Sequence, residues 1–477
     1  MSEDRHKLVS RDAPASLTLH RNLPLENACD VVVCGGGPSG LGAALAARRG
    51  ALSVLLVEGQ GQLGGMSTSG LVAQWLGGRS DDTRRWVVGG VFRRLALGAA
   101  EHGCAVIPTT NPNEKYQVHG WHKGQNEAGI PLDPFTLAGY LDDVVDEAGI
   151  DVLLHTQAVD VCVEDGRITH VILFNKSGLF AVPTRAVVDA TGDADVAARS
   201  GCEFVKGRPE DGLMTPVTLQ FHVDNVDQDA LSEYIHKHDS PRFRELVAEL
   251  RAAGEWPFDY EIFISVQLLE KGVMMINTPR LVGIDGTDGR SVTEGMIRGR
   301  REIYRLLEIA HKHFPGFAHA RLKAIAPCLG VRETRRIVAD TMLTVDDLRQ
   351  GTRFEDTIGY SAYGWDLPDP KRPSYQPMWE GVAAPVHKVK KKPVTPIPYR
   401  IMLPQPVRNL ICPGRAVSVE RDALGPLRVM APCFAMGEAA GQASQQVIRE
   451  GVDYRDLDVS RLREELREHD AIVDWEN

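Results

Sequence analysis

The sequence predicts an α/β protein: a Rossmann-like nucleotide domain built on a parallel sheet with a β-meander, interrupted by an inserted α+β domain. Three observations carry this. Residues 30–58 run from an apolar stretch through a glycine turn and an alanine-rich stretch to a second apolar stretch. Short strand-like pieces follow one another between 151 and 189, with a tight Asp165-Gly166 turn among them. A further apolar piece at 409–413 and a long Ala- and Gly-rich piece at 430–449 come back to the same pattern late in the chain.

The first of these is the most specific. Asp30-Val-Val-Val-Cys-Gly-Gly-Gly-Pro-Ser-Gly40 places Gly35, Gly37 and Gly40 at the spacing G-x-G-x-x-G after a strand suited to burial on both faces. Gly35 makes the tight turn, Gly37 lets the backbone approach a pyrophosphate, and Gly40 lets the helix pack on the strand. Pro38 and Ser39 open that helix, whose free N–H groups and dipole favour phosphate. The second strand, 53–57, ends at Glu58, about 20 residues beyond the turn, where an acid can accept bonds from a ribose diol.

Between 64 and 135 few clear periods are visible; a helix then runs from near Pro134 to Gly149. Strands are expected at 151–155, 158–164, 168–174 and 179–182, with a hairpin at Asp165-Gly166. A separate strand at 186–189 leads into Ala190-Thr191-Gly192-Asp193. Composition changes from 211 to 395, where helix-like and strand-like pieces alternate. The predicted organisation is an extension at 1–29, a first nucleotide-domain part at 30–210, a substrate (cap) domain at 211–395, a second nucleotide-domain part at 396–450 and a tail or helix at 451–477.

Composition sets further bounds. The chain of 477 residues carries a net charge of −10, which argues against nucleic acid as main partner. The basic run His387-Lys-Val-Lys-Lys-Lys392 is either a solvated loop or a dock for an acidic partner. Eight cysteines are scattered without a C-x-x-C pair, so no metal site is expected and a reducing cytoplasmic setting fits. The first 29 residues lack the apolar core of a signal peptide, and the apolar run at 31–47 is broken by glycines, so no membrane insertion is expected.

Six separated segments, in order, resemble the broad family of FAD-dependent oxidoreductases related to the fumarate reductase and succinate dehydrogenase flavoproteins. They are residues 30–58, Leu63-Gly-Gly-Met-Ser-Thr-Ser-Gly-Leu71, 148–155 with the following meander, Asp189-Ala-Thr-Gly-Asp-Ala-Asp-Val-Ala197, Cys328-Leu-Gly-Val-Arg-Glu-Thr-Arg-Arg-Ile337, and 398–441. The resemblance implies that the Rossmann-like part is an FAD-binding domain, and no second G-x-G-x-x-G points to an NAD domain. Carried over, Gly35, Gly37, Pro38, Ser39 and Gly40 would hold the pyrophosphate and Glu58 the adenosine ribose. Gly64, Gly65 and Met66 would line the ribityl and ring side, and Val159 would offer backbone groups to adenine. Gly192 and Asp193 would close the ribose–phosphate site, with Gly414 and Arg415 near the ribityl chain. The helix opening at Leu427 and Arg428 would aim its N-terminus at the flavin pyrimidine, where reduction places negative charge. Arg428 is equally suited to a buried ion pair. The sequence departs from many relatives in having Leu424 and Pro426 at this turn, and Asp133-Pro-Phe-Thr136 earlier.

A flavin takes a hydride at N5, and a base must remove the second proton if the donor carbon bears OH or NH. The cluster Arg332-Glu333-Thr334-Arg335-Arg336, if helical, puts arginines on one face for a carboxylate; a structural network around Glu333 is the other reading. Candidate catalytic groups are Arg332, Tyr363, His222 and Arg428, with His119 and His122 as further acid–base candidates. Tyr360, Tyr363 and Trp365 form either an apolar wall for a substrate ring or part of the core. The leading expectation is a dehydrogenase or oxidase that exchanges a hydride between a small or medium polar metabolite and FAD, with an unspecified electron partner and room for a homo-oligomer. The alternatives are a fumarate-reductase-like reduction of an activated C=C bond and a flavin-binding scaffold or redox sensor.

Overall fold

The computed structural model describes residues 20–80, 85–108, 128–374 and 394–475. His119, His122 and the basic run at 387–392 lie outside these residues.

Strand β1 (Cys29–Cys34) leads through the glycine turn into helix α1 (Pro38–Arg49) and strand β2 (Val54–Val57). Val31, Val32 and Val33 are wholly buried, as a strand covered on both faces requires. The short pair β3 (Gln74–Trp75) and β4 (Ile130–Pro131) follows, with helix α2 (Gly90–Glu101) between them in sequence. The sequence reading missed α2. Its buried Val91, Phe92, Leu95, Ala96 and Ala99 do keep a helical period, which the preceding Gly89-Gly90 pair obscures.

Helix α3 (Pro134–Glu147) starts on Asp133, whose carboxylate accepts from the N–H groups of Phe135 and Thr136. Strands β5 (Asp151–Leu153), β6 (Gln157–Glu164), β7 (Arg167–Asn175) and β8 (Gly178–Asp189) complete the main sheet, in the order β5-β2-β1-β8-β7-β6. The strands expected separately at 179–182 and 186–189 are one. Up to Pro183 β8 pairs antiparallel with β7, and from Thr184 it pairs parallel with β1. Pro183 stands where the strand passes from one partner to the other, so the missing N–H interrupts little. Asp165 and Gly166 both have positive φ, as the hairpin requires.

A second apolar core forms around a four-stranded antiparallel sheet. Strand β9 (Phe204–Lys206) precedes it; the sheet itself is β10 (Phe221–Asp224), β11 (Ser265–Gln267), β12 (Met274–Ile276) and β13 (Arg321–Ile325). Phe221, Phe243, Phe263, Phe314 and Phe317 fill this core beside the amphipathic helix Gly289–His313. Strand β14 (Arg335–Ile337) then pairs with β9. Strands β15 (Thr357–Ser361) and β16 (Thr395–Pro398) pair with each other, and Leu343, Val345, Leu348 and Ile358 rejoin the first core.

Strand β17 (Leu410–Ile411) adds to the parallel sheet beside β8, and the closing helix Met430–Glu450 packs on α1. That packing is backbone to backbone. A Cβ on Gly437 would sit 2.0 Å from the Ser39 carbonyl oxygen, and one on Gly441 2.2 Å from that of Ala43. The close approach brings the N-termini of α1 and the closing helix to one cavity. The segment after it is also packed: Tyr454 is buried and helix Val459–Glu468 turns Leu462 and Leu466 into the core. Among the described residues no helix is long and apolar enough to cross a membrane.

Candidate active site

A cavity of about 600 Å3 runs from the glycine turn to the inner end of the second sheet. Its size is that of a site for a substantial ligand. At one end the three motif glycines divide their work. Gly35 has φ +109°, and a Cβ there would meet Ala190 O at 2.3 Å; one on Gly40 would meet Gly35 O at 1.7 Å. The protein itself therefore excludes side chains at both. Gly37 differs: its backbone is extended, and the nearest atom to an added Cβ is Gly65 Cα at 3.8 Å. What Gly37 keeps clear is the cavity, beside the free N–H groups that open α1.

Glu58 closes this end. Its carboxylate accepts from Gly36 N at 2.7 Å and Gln60 N at 2.7 Å. Burial raises its pKa and those two bonds offset part of the rise. Lone pairs remain for a diol facing the cavity. Opposite, Asp193 accepts from Arg415 at 2.6 Å and from Thr334 at 2.5 Å, and Arg415 lies over Gly192. Pro38, Ser39, Gly65, Met66 and Gly414 line the same wall. Gly40, Gly64, Val159 and Leu427 do not. Gly40 serves packing, and Gly64 donates to Gly36 O at 2.9 Å. Val159 falls in a bulge of β6, where its neighbours Gln157 and Ala158 face the cavity, and Leu427 is buried in the turn before the closing helix. Helix geometry begins at Met430, with Val429 as its cap.

The other end is cationic. Arg332 lines it, donating to Pro216 O at 2.8 Å, Thr218 Oγ1 at 2.8 Å and Asn277 Oδ1 at 3.3 Å. All three acceptors are neutral. Burial, then the charges of Arg280 and Arg428, bring its pKa down to about 9. The expected helical cluster is not formed: residues 331–334 lie in no helix and run into β14, and neighbouring arginines take different partners. Arg335 pairs with Asp195, and Arg336 and Arg421 both pair with the buried Glu333. Of this cluster Arg332 alone lines the cavity, while Arg335 and Arg336 sit in ion pairs with Asp195 and Glu333.

Arg280, Arg242 and Asp366, none of them among the expected site residues, also line this end. Tyr363 donates to Asp366 Oδ2 at 2.6 Å, and Arg428 donates to Asp366 O at 2.5 Å and stands 3.5 Å from its carboxylate. Burial opposes the Asp366 charge, but Arg428, then Tyr363, Arg280 and Arg242, hold its pKa below the ordinary value. Burial and the Asp366 charge push the Tyr363 phenol the other way, so it stays protonated.

His222 is corrected as a catalytic candidate. It is fully buried in β10, its Nε2 is 2.9 Å from Leu71 O, and it does not line the cavity. Trp365 is core, and Tyr360 lies half-buried beside Trp475, so Tyr363 alone of the expected aromatic wall faces the cavity. Burial lowers the His222 pKa from 6.5 to about 4. Between those values the unfolded chain takes up a proton that the native chain refuses, so stability falls as pH falls, by about 3 kcal/mol. Denaturation midpoints measured for wild type and His222→Gln across this range should show that much less acid loss in the variant. Equal losses would contradict the burial account.

A family model described as FAD dependent oxidoreductase matches residues 30–466. The chain belongs to that family. No curated protein matches it. Among solved structures it is similar to a geranylgeranyl bacteriochlorophyll reductase-like protein from Thermoplasma acidophilum, at 14% identity and TM-score 0.45, covering 93% of this chain and 84% of that one. A p-nitrophenol 4-monooxygenase from Pseudomonas putida gives 12% identity and TM-score 0.44, covering 90% and 82%. L-proline dehydrogenase from P. horikoshii gives 12% and 0.43, covering 94% and 99%.

The cavity of this flavoenzyme suits FAD. Gly37 leaves a cradle open at a helix N-terminus for the diphosphate, and Glu58 offers a buried acceptor for the ribose diol. Gly65, Met66 and the N-terminus of the closing helix would flank the ring. FAD, when bound, supplies the two-electron acceptor or donor. Beyond the cofactor's place, the cavity is lined by the guanidiniums of Arg242, Arg280, Arg332 and Arg428, by Tyr363 and by the Asp366 carboxylate.

Proposed function

We propose that this flavoenzyme is a dehydrogenase or oxidase of a small or medium-sized metabolite carrying a carboxylate, which gives up a hydride to N5 of FAD. One observation supports this above others. Arg280 is 7% exposed, lines the cavity, and has neither hydrogen bond nor ion pair among the described residues. Burial lowers its pKa to about 10, against the pull of Asp366. An uncompensated buried charge costs several kcal/mol, and a ligand anion would remove that cost. Arg332, bound only to neutral acceptors, adds a second cation for the same anion. A fumarate-reductase-like reduction of a C=C bond conjugated to a carboxylate would draw on the same two arginines and differs in the direction of electron flow.

The test is anaerobic. The oxidised holoenzyme is mixed with panels of hydroxy and amino carboxylates and of their uncharged esters or amides, and the flavin band is followed. Loss of colour with carboxylates and none with the uncharged analogues is expected. Bleaching by uncharged compounds alone would overturn the reading. Reoxidation of a chemically reduced flavin by unsaturated carboxylates, with no bleaching by any hydroxy or amino acid, would favour the C=C reading.

A further inference from the structure

The hydrogen bond between Tyr363 and Asp366 has a directional consequence for the ligand. Asp366 is ionised and can only accept, so the phenolic proton of Tyr363 is committed to it. Towards the cavity, the Tyr363 oxygen therefore has lone pairs to offer and no proton. Arg428, which also lines the cavity, holds Asp366 through two contacts. The guanidiniums of Arg280 and Arg332 are donors without exception. The end of the cavity thus presents donors at the arginines and an acceptor at the tyrosine.

We propose that Tyr363 selects substrates with an O–H or neutral N–H on the carbon to be oxidised, next to the carboxylate held by Arg280 and Arg332, and that it accepts that proton. This rests on the carboxylate reading above. For an alcohol, hydride and proton leave to different acceptors. The C–H bond breaks and its electron pair leaves with the hydride to FAD. The O–H bond breaks and its proton passes to the Tyr363 oxygen, while the Tyr363 proton passes to Asp366 Oδ2. The carbon–oxygen bond becomes a carbonyl, FAD is reduced by two electrons, and Asp366 ends neutral. A substrate with no donor at this position, such as an unsaturated acid, leaves the acceptor unmatched.

Binding separates this from a general effect on activity. The probes are 2-hydroxy-2-methylpropanoate, which has no hydrogen on its hydroxyl carbon and cannot be oxidised, and 2-methylpropanoate, which lacks the hydroxyl. In the wild-type holoenzyme the hydroxylated probe should bind more tightly, roughly 2- to 12-fold, the equivalent of one hydrogen bond. In Tyr363→Phe the two should bind alike. In Asp366→Asn, which keeps an acceptor for the phenol, the binding preference should persist while bleaching by oxidisable hydroxy acids falls roughly 100-fold or more. A hydroxyl preference that survives Tyr363→Phe, or an Asp366→Asn protein that bleaches at the wild-type rate, overturns the proposal. If neither probe binds and Arg280→Met behaves as wild type, the carboxylate reading itself fails.

Discussion

Arg280→Met is expected to fold normally, keep its FAD, and lose carboxylate binding by roughly 30- to 4,000-fold, the range for removing one partner of a buried charged pair at about 2–5 kcal/mol. The physical basis is the bare state of the guanidinium. It is buried, it shares the cavity with Arg242, Arg332 and Arg428, whose charges it feels, and Asp366 is already engaged by Tyr363 and Arg428. Without ligand, a charge in that position lowers stability, so the ligand-free methionine variant should be at least as stable as wild type. A structural arginine would behave in the opposite way. The measurement is a pair: the unfolding midpoint of the ligand-free holoenzyme, and the dissociation constant of a non-oxidisable carboxylate. Weaker binding with an equal or higher midpoint supports the assignment. A lower midpoint with unchanged binding would place Arg280 in the scaffold.

Gly37→Val is the counterpart at the nucleotide end. Gly35 and Gly40 cannot test the cofactor separately from the fold, because a side chain at either collides with backbone. At Gly37 the backbone is in an ordinary extended conformation, and an added Cβ meets only Gly65 Cα, at an ordinary contact distance of 3.8 Å. A Cβ there clashes with no protein atom, and the valine side chain would occupy the space of a diphosphate lying over the turn. The variant should therefore purify colourless. With FAD removed, its stability should match that of stripped wild type within about 0.5 kcal/mol. Adding FAD at about 100 times the wild-type dissociation constant should stabilise wild type by about 2.7 kcal/mol and leave the variant unmoved. Stoichiometric FAD in purified Gly37→Val would contradict this placement.

These two ends differ in how far the sequence revealed them. The nucleotide end was legible because its signals are local. A buried strand, a turn with positive φ at Gly35 and a tight helix start at Gly40 all sit within a dozen positions, and their spacing follows from backbone geometry. The arginine end is assembled from distant segments. Arg280 follows β12, Asp366 follows β15, and Arg332 precedes β14, so no spacing links them. A helical reading of 332–336 put several arginines on one face. The non-helical path after Gly330 and Val331 sends one to the cavity and the others into ion pairs with Asp195 and Glu333. A weak signal for Arg280 existed: a lone arginine directly after the apolar strand Met274–Ile276 and its Asn-Thr-Pro turn. The pieces expected at 179–182 and 186–189 are one strand, in which Pro183 marks a change of partner.

The account depends on one cavity holding FAD at its glycine end and a carboxylate at its arginine end. The most direct measurement is a crystal structure of the oxidised holoenzyme soaked with 2-hydroxy-2-methylpropanoate. The predicted density shows a diphosphate over Gly37, a ribose diol at Glu58, the carboxylate between Arg280 and Arg332, and the hydroxyl on Tyr363. A dinucleotide lying elsewhere, or a carboxylate bound away from Arg280 with that guanidinium still unpaired, would contradict it.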